Sequence, residues 1–581
     1  MTWTFPQRLE QLATEQPARP ALRDKDRGLW HQTSWAAYRD QVARAAWALW
    51  QWGLRPGDHA CILSDNRPEW LVTDLAIQAC GARSVGVYQT NPASEVAWLL
   101  EHCGAALLFA EDQEQVDKVV EHDAELPGLR QVVVYDPRGL RHYDDERLVP
   151  WSDFVGDDPP AGWWAERLGT LDPDEPAMVV YTSGTTGTPK GALLSARNAV
   201  AGAQVMAPML GLSADDQVLS YLPLCHVAEK IFSLYLPLTV GCVVHFGESI
   251  ETVRTDLREV QPTVFLGVPR IWEKLHASVQ LKMKDASWLK RRLFRWAERQ
   301  DGGVWARLGD LLVFRPLRQR LGLLRCRLPI SGAAPIAPEL LTWFTQAGVP
   351  ILEGYGQTEC AGVSHVSPPD DVRLGTVGPA IACTPCRIAD DGEVLVGGPT
   401  VFKGYLHDPD ATARTVIDGW LHTGDLGSLD ADGYLSITGR KKEILITAGG
   451  KNLSPERIEN TLKTSPYIKE VIALGDGERF VGALIQVDLD ATMDWASRQG
   501  LGATHFEDLA SRQPVVDLIG QEIARVNDKL ARVEQVRAFR LLPRELHQDN
   551  GELTATQKVR RRAVVEIWGG LVAEIYGGAA S

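Results

Sequence analysis

Tyr181-Thr-Ser-Gly-Thr-Thr-Gly-Thr-Pro-Lys-Gly191 decides how the rest of this chain is read. The apolar run Ala177 to Val180 leads into it and reads as a buried strand. Gly184 and Gly187 carry no side chain, so backbone N–H groups there can approach phosphate oxygens closely. Thr182, Ser183, Thr185, Thr186 and Thr188 add hydroxyls, and Lys190 adds a positive charge. The Gly-Lys-Ser/Thr order of a Walker loop is missing, so this is a phosphate cradle of another kind. A plain glycine–serine loop is the competing reading. Five hydroxyls, two glycines and a lysine after one strand favour phosphate.

Upstream of this loop, helical and strand patterns alternate. Ser34 stands before an inner stripe of Tyr38, Val42, Ala45 and Leu49, and Gly53 closes it, so a helix is expected there. His59 to Leu63 reads as a strand and Trp70 to Cys80 as the next helix; Leu107 to Phe109 and Val132 to Tyr135 read as buried strands. Such alternation predicts an α/β fold, with open sheet covered on both faces. Near Gly439 the pattern changes. Ser454-Pro455 starts a helix, with Pro where its missing N–H is harmless, and Val471 to Leu474 and Val481 to Val487 read as strands. The expectation is a large α/β domain over 1–438 and, after the break, a small α+β domain over 444–581.

The 581 residues are too many for one core, which agrees with two domains. A net charge of −15 argues against nucleic acid as a partner. It also means that a polyphosphate would have to find local positive charge. Nine cysteines do not make a disulfide framework, and Cys383 and Cys386 form a lone CxxC with no second pair. The start Met1-Thr-Trp-Thr-Phe-Pro has no basic and apolar leader, and no run approaches the roughly 20 apolar residues of a membrane span. A cytoplasmic protein is expected.

One segment departs from the acidic average. Residues 282–327 hold 13 Lys or Arg against four Asp or Glu, a local charge of +9. Within it Leu289, Leu293 and Trp296 recur at helical spacing. Two readings are open: a solvated basic helix packed on the body, or a peripheral contact with the inner face of an anionic membrane.

Six further motifs follow the loop: Tyr221-Leu-Pro-Leu-Cys-His226, Ser331-Gly-Ala-Ala-Pro335, Gly354-Tyr-Gly-Gln-Thr-Glu359, Gly419-Trp-Leu-His-Thr-Gly-Asp425, Gly439-Arg-Lys-Lys-Glu443 and Thr554-Ala-Thr-Gln-Lys558. With the loop they make seven, in an order that resembles the adenylate-forming superfamily of acyl-CoA synthetases, beetle luciferases and peptide-synthetase adenylation domains. The resemblance covers nearly the whole chain. It implies ATP-dependent activation of a carboxylic acid as an acyl-adenylate, then transfer of the acyl group to coenzyme A.

The same resemblance assigns roles. Residues Thr182 to Gly187 and Lys190 would cradle the phosphates, with Thr186 and Glu359 holding Mg²⁺. Gly332, Ala333 and Ala334 would line the adenine and acyl pockets. Gly354, Gly356 and Gln357 would join them, Tyr355 would lie against adenine, and Thr358 would reach the α-phosphate. Asp425, read as following Gly424 in a tight turn, would accept the ribose hydroxyls; by itself it reads equally as a turn-capping aspartate. His226, with Gly332 and Gly356, would border the acyl pocket, although a lone histidine beside apolar residues is usually a satisfied core group. Arg440 and Lys558 would neutralise the charge that develops on the phosphates. Gly449, Gly450 and Lys451 would let coenzyme A pass, and the small domain would be mobile, turning on a hinge over 439–443 at Lys442, with Lys441 the neighbouring candidate.

Val268-Pro-Arg-Ile-Trp-Glu-Lys274, the basic insertion before Ser331 and the C-terminal motif resemble long-chain and bubblegum-type fatty acyl-CoA synthetases most. A long-chain fatty acid is therefore the expected substrate. A carrier-protein acceptor, or a shorter or aromatic acid, is the alternative. Gln357 stands where the family commonly has leucine, Cys360 follows Glu359, and Ala555 replaces a frequent proline.

Overall fold

The structure is a computed structural model that describes residues 3–182, 189–249, 252–300, 302–554 and 557–577. Local chemistry sets the early elements as expected. The helix Trp35–Trp52 begins where Ser34 Oγ accepts from the Ala37 N–H, and ends at Gly53, whose φ of 112° lets its N–H turn back to Leu49. The next helix runs Pro68–Ala79, two residues earlier than the apolar pattern alone suggests, because Pro68 is pre-set for a first turn.

Two eight-stranded sheets form the body. In one, the strand order in space is Gly404–Tyr405, Lys190–Ser195, Pro176–Thr182, Arg83–Val87, His59–Leu63, Leu107–Ala110, Gln131–Val134 and Leu148–Pro150. In the other it is His365–Val366, Leu352–Tyr355, Leu328–Ser331, Val264–Gly267, Gln217–Ser220, Val243–Phe246, Pro20–Asp26 and Leu29–Ser34. The inner strands of both are parallel, and the strands are apolar on both faces because both faces are covered. Ala60 and Ile62 point into the core between the sheets while Cys61 and Leu63 point into the outer core; across the molecule Val264 and Leu266 share that central core and Phe265 faces away. A five-stranded antiparallel sheet, including Glu393–Val396, Trp420–Leu429 and Leu435–Arg440, closes onto the same central core through Val394, Val396 and Leu421.

Asp425 is not in a tight turn. It lies inside the strand Trp420–Leu429 and pairs with Arg440 across the ladder. The turn-like signal comes from Gly424, whose φ of 72° kinks the strand without ending it.

The C-terminal lobe has a core of its own. Its sheet, Ile468–Leu474, Val481–Val487 and Val536–Leu541, buries Ala483 and Ile485 against the helices Pro455–Leu462 and Gln513–Asn527, and Leu484 against the helix Gly569–Gly577 side. It meets the body through polar contacts, among them Asn460 Nδ2 to the Pro335 carbonyl (3.1 Å), Lys284 Nζ to the Tyr467 hydroxyl (3.1 Å) and the Arg498–Asp285 ion pair, and through Leu281, which packs against its core.

The basic segment folds as the helices Trp288–Glu298, Gly303–Gly309 and Arg315–Leu321, the last two joined by a wide turn over Asp310–Phe314. Its packed face takes up Trp296 from the stripe but leaves Leu289 and Leu293 out. Phe294 and Ala297 are buried, with Phe294 edge-on to Phe314, whereas Leu289 is 61% and Leu293 37% exposed. A helix with apolar residues on two faces gives its spacing no way to tell which face is covered.

Candidate active site

A cleft of about 830 Å³ opens at the carboxyl ends of the parallel strands Val264–Gly267 and Leu328–Ser331 and of Pro176–Thr182. That is where ligands sit in open α/β sheets, because loops diverge there. Residues Ser183, Gly184, Thr185, Thr186 and Gly187 lie outside the described residues. Their two anchors are described: Thr182 and Lys190 are cross-strand partners, and Thr182 Oγ1 is 3.4 Å from the Lys190 carbonyl. The two anchors thus belong to antiparallel strands, whereas a Walker loop runs from a strand into a helix.

Thr182, Lys190, His226, Gly332, Ala333, Gly354, Tyr355, Gly356, Gln357, Thr358, Glu359, Arg440, Lys442 and Lys558 all line this cleft, although they come from parts of the chain up to several hundred residues apart. Gly356 permits a close crossing of backbones, since a Cβ there would meet the Gly362 carbonyl oxygen at 2.5 Å. Gly332 similarly passes Gly354, where a Cβ would stand 3.2 Å from the carbonyl oxygen. Ala333 adopts φ of 66°, unusual without glycine, and so turns its carbonyl toward the C-terminal lobe.

Lys558 meets that carbonyl. Its Nζ donates to the Ala333 oxygen at 3.1 Å, so a lysine of the C-terminal lobe enters a cleft built by the body. Solvent reaches the side chain through the cleft mouth, yet protein surrounds most of it. The loss of hydration lowers its pKa, and Arg440 adds to that, while Glu456, Asp425 and Glu443 oppose it. Arg440 behaves in the other direction: burial disfavours its charge, but Asp425, Glu443 and Glu456 outweigh burial and raise its pKa. His226 Nδ1 accepts the Ala228 N–H at 3.1 Å, and its pKa falls to about 4 through loss of hydration, with Lys558 contributing. The imidazole is therefore neutral near pH 7, a hydrogen-bonding group with no charge to offer.

Asp425 is only 4% exposed and fully engaged. Its Oδ2 accepts from the Tyr355 hydroxyl (2.7 Å) and Gln357 Nε2 (2.7 Å), and its Oδ1 is 2.9 Å from Arg440 Nε. Glu359 is held from one side, accepting from the Tyr405 hydroxyl at 2.7 Å. Lys190 lies 4.0 Å from Asp408 and 5.0 Å from the Tyr405 ring centroid. Sequence reasoning missed Tyr405, Asp408 and Glu393. Tyr405 sits 46 positions from Glu359, and no local pattern marks that pairing. Glu393 binds Lys441 Nζ (3.3 Å) and the Gly424 N–H (2.8 Å), fixing the start of the segment at 441–443. Lys442 beside it is exposed and makes no hydrogen bond or ion pair among the described residues.

Not every expected residue converges. Ala334 is exposed next to the cleft and does not line it, and Asp425 lies behind the lining residues. Gly449, Gly450 and Lys451 form an exposed turn between the strands Leu445–Ile446 and Asn452–Leu453 of the C-terminal lobe, outside the cleft. Among the described residues, no cluster of three or more His, Cys, Asp or Glu could hold a metal by itself.

With the geometry set out, its kinship can be stated. The profile of AMP-binding enzymes matches residues 9–406, and that of the AMP-binding enzyme C-terminal domain matches 442–580. The chain belongs to the AMP-binding enzyme family. Among relatives of this AMP-binding enzyme, the long-chain-fatty-acid–CoA ligase FadD15 of Mycobacterium tuberculosis is 37% identical over 571 residues, 94% of this chain and 93% of the relative. Long-chain-fatty-acid–CoA ligase ACSBG1 of Homo sapiens is 31% identical over 599 residues, 96% of this chain and 83% of the relative. The fold is that of adenylate-forming enzymes. The anthranilate CoA ligase AuaEII, solved with anthranoyl-AMP, superposes with a TM-score of 0.73 at 20% identity, covering 100% of this chain and 99% of that one. The A domain of a carboxylic acid reductase from Segniliparus rugosus, solved with AMP and a carboxylic acid, gives 0.75 at 21%, covering 100% and 95%.

Proposed function

We propose that this AMP-binding enzyme is a long-chain fatty acid–CoA ligase. The carboxylate of the acid attacks the α-phosphorus of ATP, pyrophosphate leaves, and an acyl-adenylate forms; the thiol of coenzyme A then attacks the acyl carbon, and AMP leaves. The observation that carries this reading is Lys558 reaching Ala333 inside a cleft that also holds Arg440, Glu359 and both anchors of the phosphate loop. The relatives' names supply the acid and the acceptor.

The acid is ionised at neutral pH, so the first step needs alignment and charge neutralisation, with no strong base. Lys558 and Arg440 supply that positive charge, and Lys190 with Thr182 to Gly187 hold the phosphates. Asp425, backed by Tyr355 and Gln357, presents a carboxylate for the ribose hydroxyls, for which it exchanges Arg440. Tyr355 offers its ring to adenine, and Gly332, Gly356 and the neutral His226 border the acyl chain. Glu359 with Thr186 would hold Mg²⁺. A lone carboxylate fits an ion that arrives on the nucleotide's phosphates, since magnesium takes one or two protein carboxylates plus phosphate oxygens. When bound, the ion would neutralise phosphate charge.

The second step calls for another face of the small lobe, because Gly449, Gly450 and Lys451 stand outside the cleft while Lys558 stands within it. We place the boundary of the large domain at 438 and the pivot at Lys442. The anchoring of Lys441 by Asp391 and Glu393 supports a stationary neighbour next to a free one. Delivery of a poorly soluble acid is served by peripheral contact of residues 282–327 with the inner face of a membrane; among the described residues no helix is long and apolar enough to cross one.

The test is pyrophosphate release from purified protein with long-chain, short and aromatic acids, with and without coenzyme A. Long chains should give the highest kcat/KM, and coenzyme A should be consumed in equal amount with AMP release. Turnover confined to short or aromatic acids would overturn the substrate. Adenylate that accumulates and never reaches free coenzyme A would overturn the acceptor and favour a carrier protein.

A further inference from the structure

Eight of the fifteen large apolar side chains exposed among the described residues lie between 288 and 312. They include Trp288 (65% exposed), Leu289 (61%), Leu293, Trp305 (62%), Leu311 and Leu312. Solvent-facing tryptophans and leucines at this density are uncommon on a monomer and mark a surface that meets something else. The two helices involved act as one unit. Ala297 and Gly309 face each other so closely that a Cβ on Gly309 would lie 3.3 Å from that of Ala297, and the rings of Trp296 and Trp305 meet edge-on at 6.4 Å. Phe294, Ala297 and Phe314 supply the inner packing, so the outer apolar face is surplus to folding.

The charges around this face say what it meets. Lys290, Arg291, Arg292, Arg295 and Arg307 are all exposed, and the surrounding segment 282–327 is +9 in a chain of −15. A second copy is a poor occupant, because a two-fold interface sets a patch against itself and here would oppose like charges. Apolar side chains with aromatic rings, flanked by arginines, match a headgroup layer: the rings and leucines enter the acyl boundary and the guanidiniums stay with phosphate.

We propose that residues 288–312 form a two-helix interfacial wedge that docks the enzyme on bilayers containing anionic phospholipid. Trp288, Leu289, Trp305 and Leu312 enter among the headgroups, while Lys290, Arg291, Arg292 and Arg295 contact lipid phosphates. This deepens, and rests on, the membrane contact given under the proposed function; it assigns the inserting residues and the lipid charge.

The experiment is co-sedimentation of the full chain with vesicles of phosphatidylcholine alone or mixed equally with phosphatidylglycerol. Binding to the anionic vesicles should exceed binding to neutral ones at least tenfold, and should fall when salt is raised to about 0.5 M, where the screening length is only a few ångströms. The variant Trp288→Ser/Leu289→Ser/Trp305→Ser/Leu312→Ser should lose at least tenfold in vesicle binding, with unchanged melting temperature and unchanged pyrophosphate release on a water-soluble acid. A second variant, Arg291→Glu/Arg292→Glu/Arg295→Glu, should lose the preference for anionic lipid. Absence of wild-type binding, equal binding to both vesicles, or undiminished binding by the quadruple variant would overturn the wedge. Loss of pyrophosphate release with every acid in the wild type would instead strike the ligase reading and leave the vesicle result standing.

Discussion

Replacing Lys558 by alanine separates the two half-reactions more sharply than any other single change. The side chain reaches the cleft from the C-terminal lobe and rests 3.1 Å from the Ala333 carbonyl, where loss of hydration and then Arg440 depress its pKa. A cation about 4 Å from a phosphoryl oxygen, at an effective dielectric of about 20, is worth about 4 kcal/mol. Losing one preorganised donor to a developing oxyanion removes about 3–4 kcal/mol, or roughly 10²–10³ in rate. The two routes agree, so adenylate formation in Lys558→Ala should fall by about that factor. Folding should hardly change: the Ala333 carbonyl is open to solvent once the lysine is gone, and the repulsion with Arg440 is relieved. Unfolding free energy should stay within about 0.5 kcal/mol. The assay measures pyrophosphate–ATP exchange for the first step, and thioester formation from synthetic acyl-adenylate for the second. The second should stay within about fivefold, since the chemistry there needs no charge on the β- and γ-phosphates. Equal loss in both assays would sink the assignment. The pH profile adds a sign. Because the Lys558 pKa is lowered, its charge is lost at a lower pH than an ordinary lysine's, and ATP–pyrophosphate exchange should decline early on the alkaline side. Lys558→Arg should move that decline upward.

Gln357→Leu removes a donor shared by Asp425 Oδ2 and the Thr423 carbonyl, worth about 1–2 kcal/mol. KM for ATP should rise about 5–30-fold with a smaller change in kcat; an unchanged KM for ATP would show that Tyr355 and Arg440 suffice to hold the carboxylate. Glu359→Gln keeps an acceptor for the Tyr405 hydroxyl but removes the charge, so the Mg²⁺ concentration for half-maximal activity should rise at least tenfold, and an unaltered requirement would place the ion elsewhere. His245 and His365 are 1% and 0% exposed, and loss of hydration lowers each pKa to about 4. The unfolded chain takes up these protons below about pH 6.5, the folded chain only near 4, so stability falls as pH drops through that window, by up to about 3 kcal/mol per histidine. The guanidinium midpoint should drop between pH 7 and 4.5, and a flat midpoint would mean that other groups compensate.

Where short-range chemistry decides, the sequence was legible. Ser34 and Gly53 bound a helix by cap geometry alone, and the strand before the phosphate loop is visible as an unbroken apolar run. Strand order was not legible, since pairing Leu328–Ser331 with Val264–Gly267 depends on contacts some sixty residues apart. Gly424 was read as a turn because a glycine beside a polar residue looks alike in a hairpin and in a kinked strand; only the ladder partner Arg440 tells them apart. Leu289 and Leu293 had helical spacing that left their direction open, and Phe294 and Ala297 on the same helix, which take the core, leave them exposed. Tyr405 escaped notice altogether, as its bond to Glu359 exists only once the edge strand Gly404–Tyr405 meets the short turn at Thr358–Cys360.

A chain of net −15 that handles a polyphosphate must still gather cations locally, and the cleft shows how it does so. Three of the cleft's cations are matched to carboxylates: Lys190 to Asp408, Arg440 to Asp425, Lys441 to Asp391 and Glu393. Matching prevents bare like charges from repelling one another in a partly desolvated site. It also means that a nucleotide binds by exchange. On the proposed reading, the ribose hydroxyls and the phosphates would draw Asp425 and Arg440 apart, each ligand group replacing one half of an ion pair, so the gain on binding would be the difference between two sets of charge contacts. Lys558 differs from these three, since the partner it meets is a neutral carbonyl, and its charge is disfavoured by loss of hydration first and by the neighbouring Arg440 second. It therefore gives up least when a phosphate arrives. On the proposed reading, that leaves more of its electrostatic effect for the transition state than the paired cations can offer, and it is carried on a lobe with a core of its own.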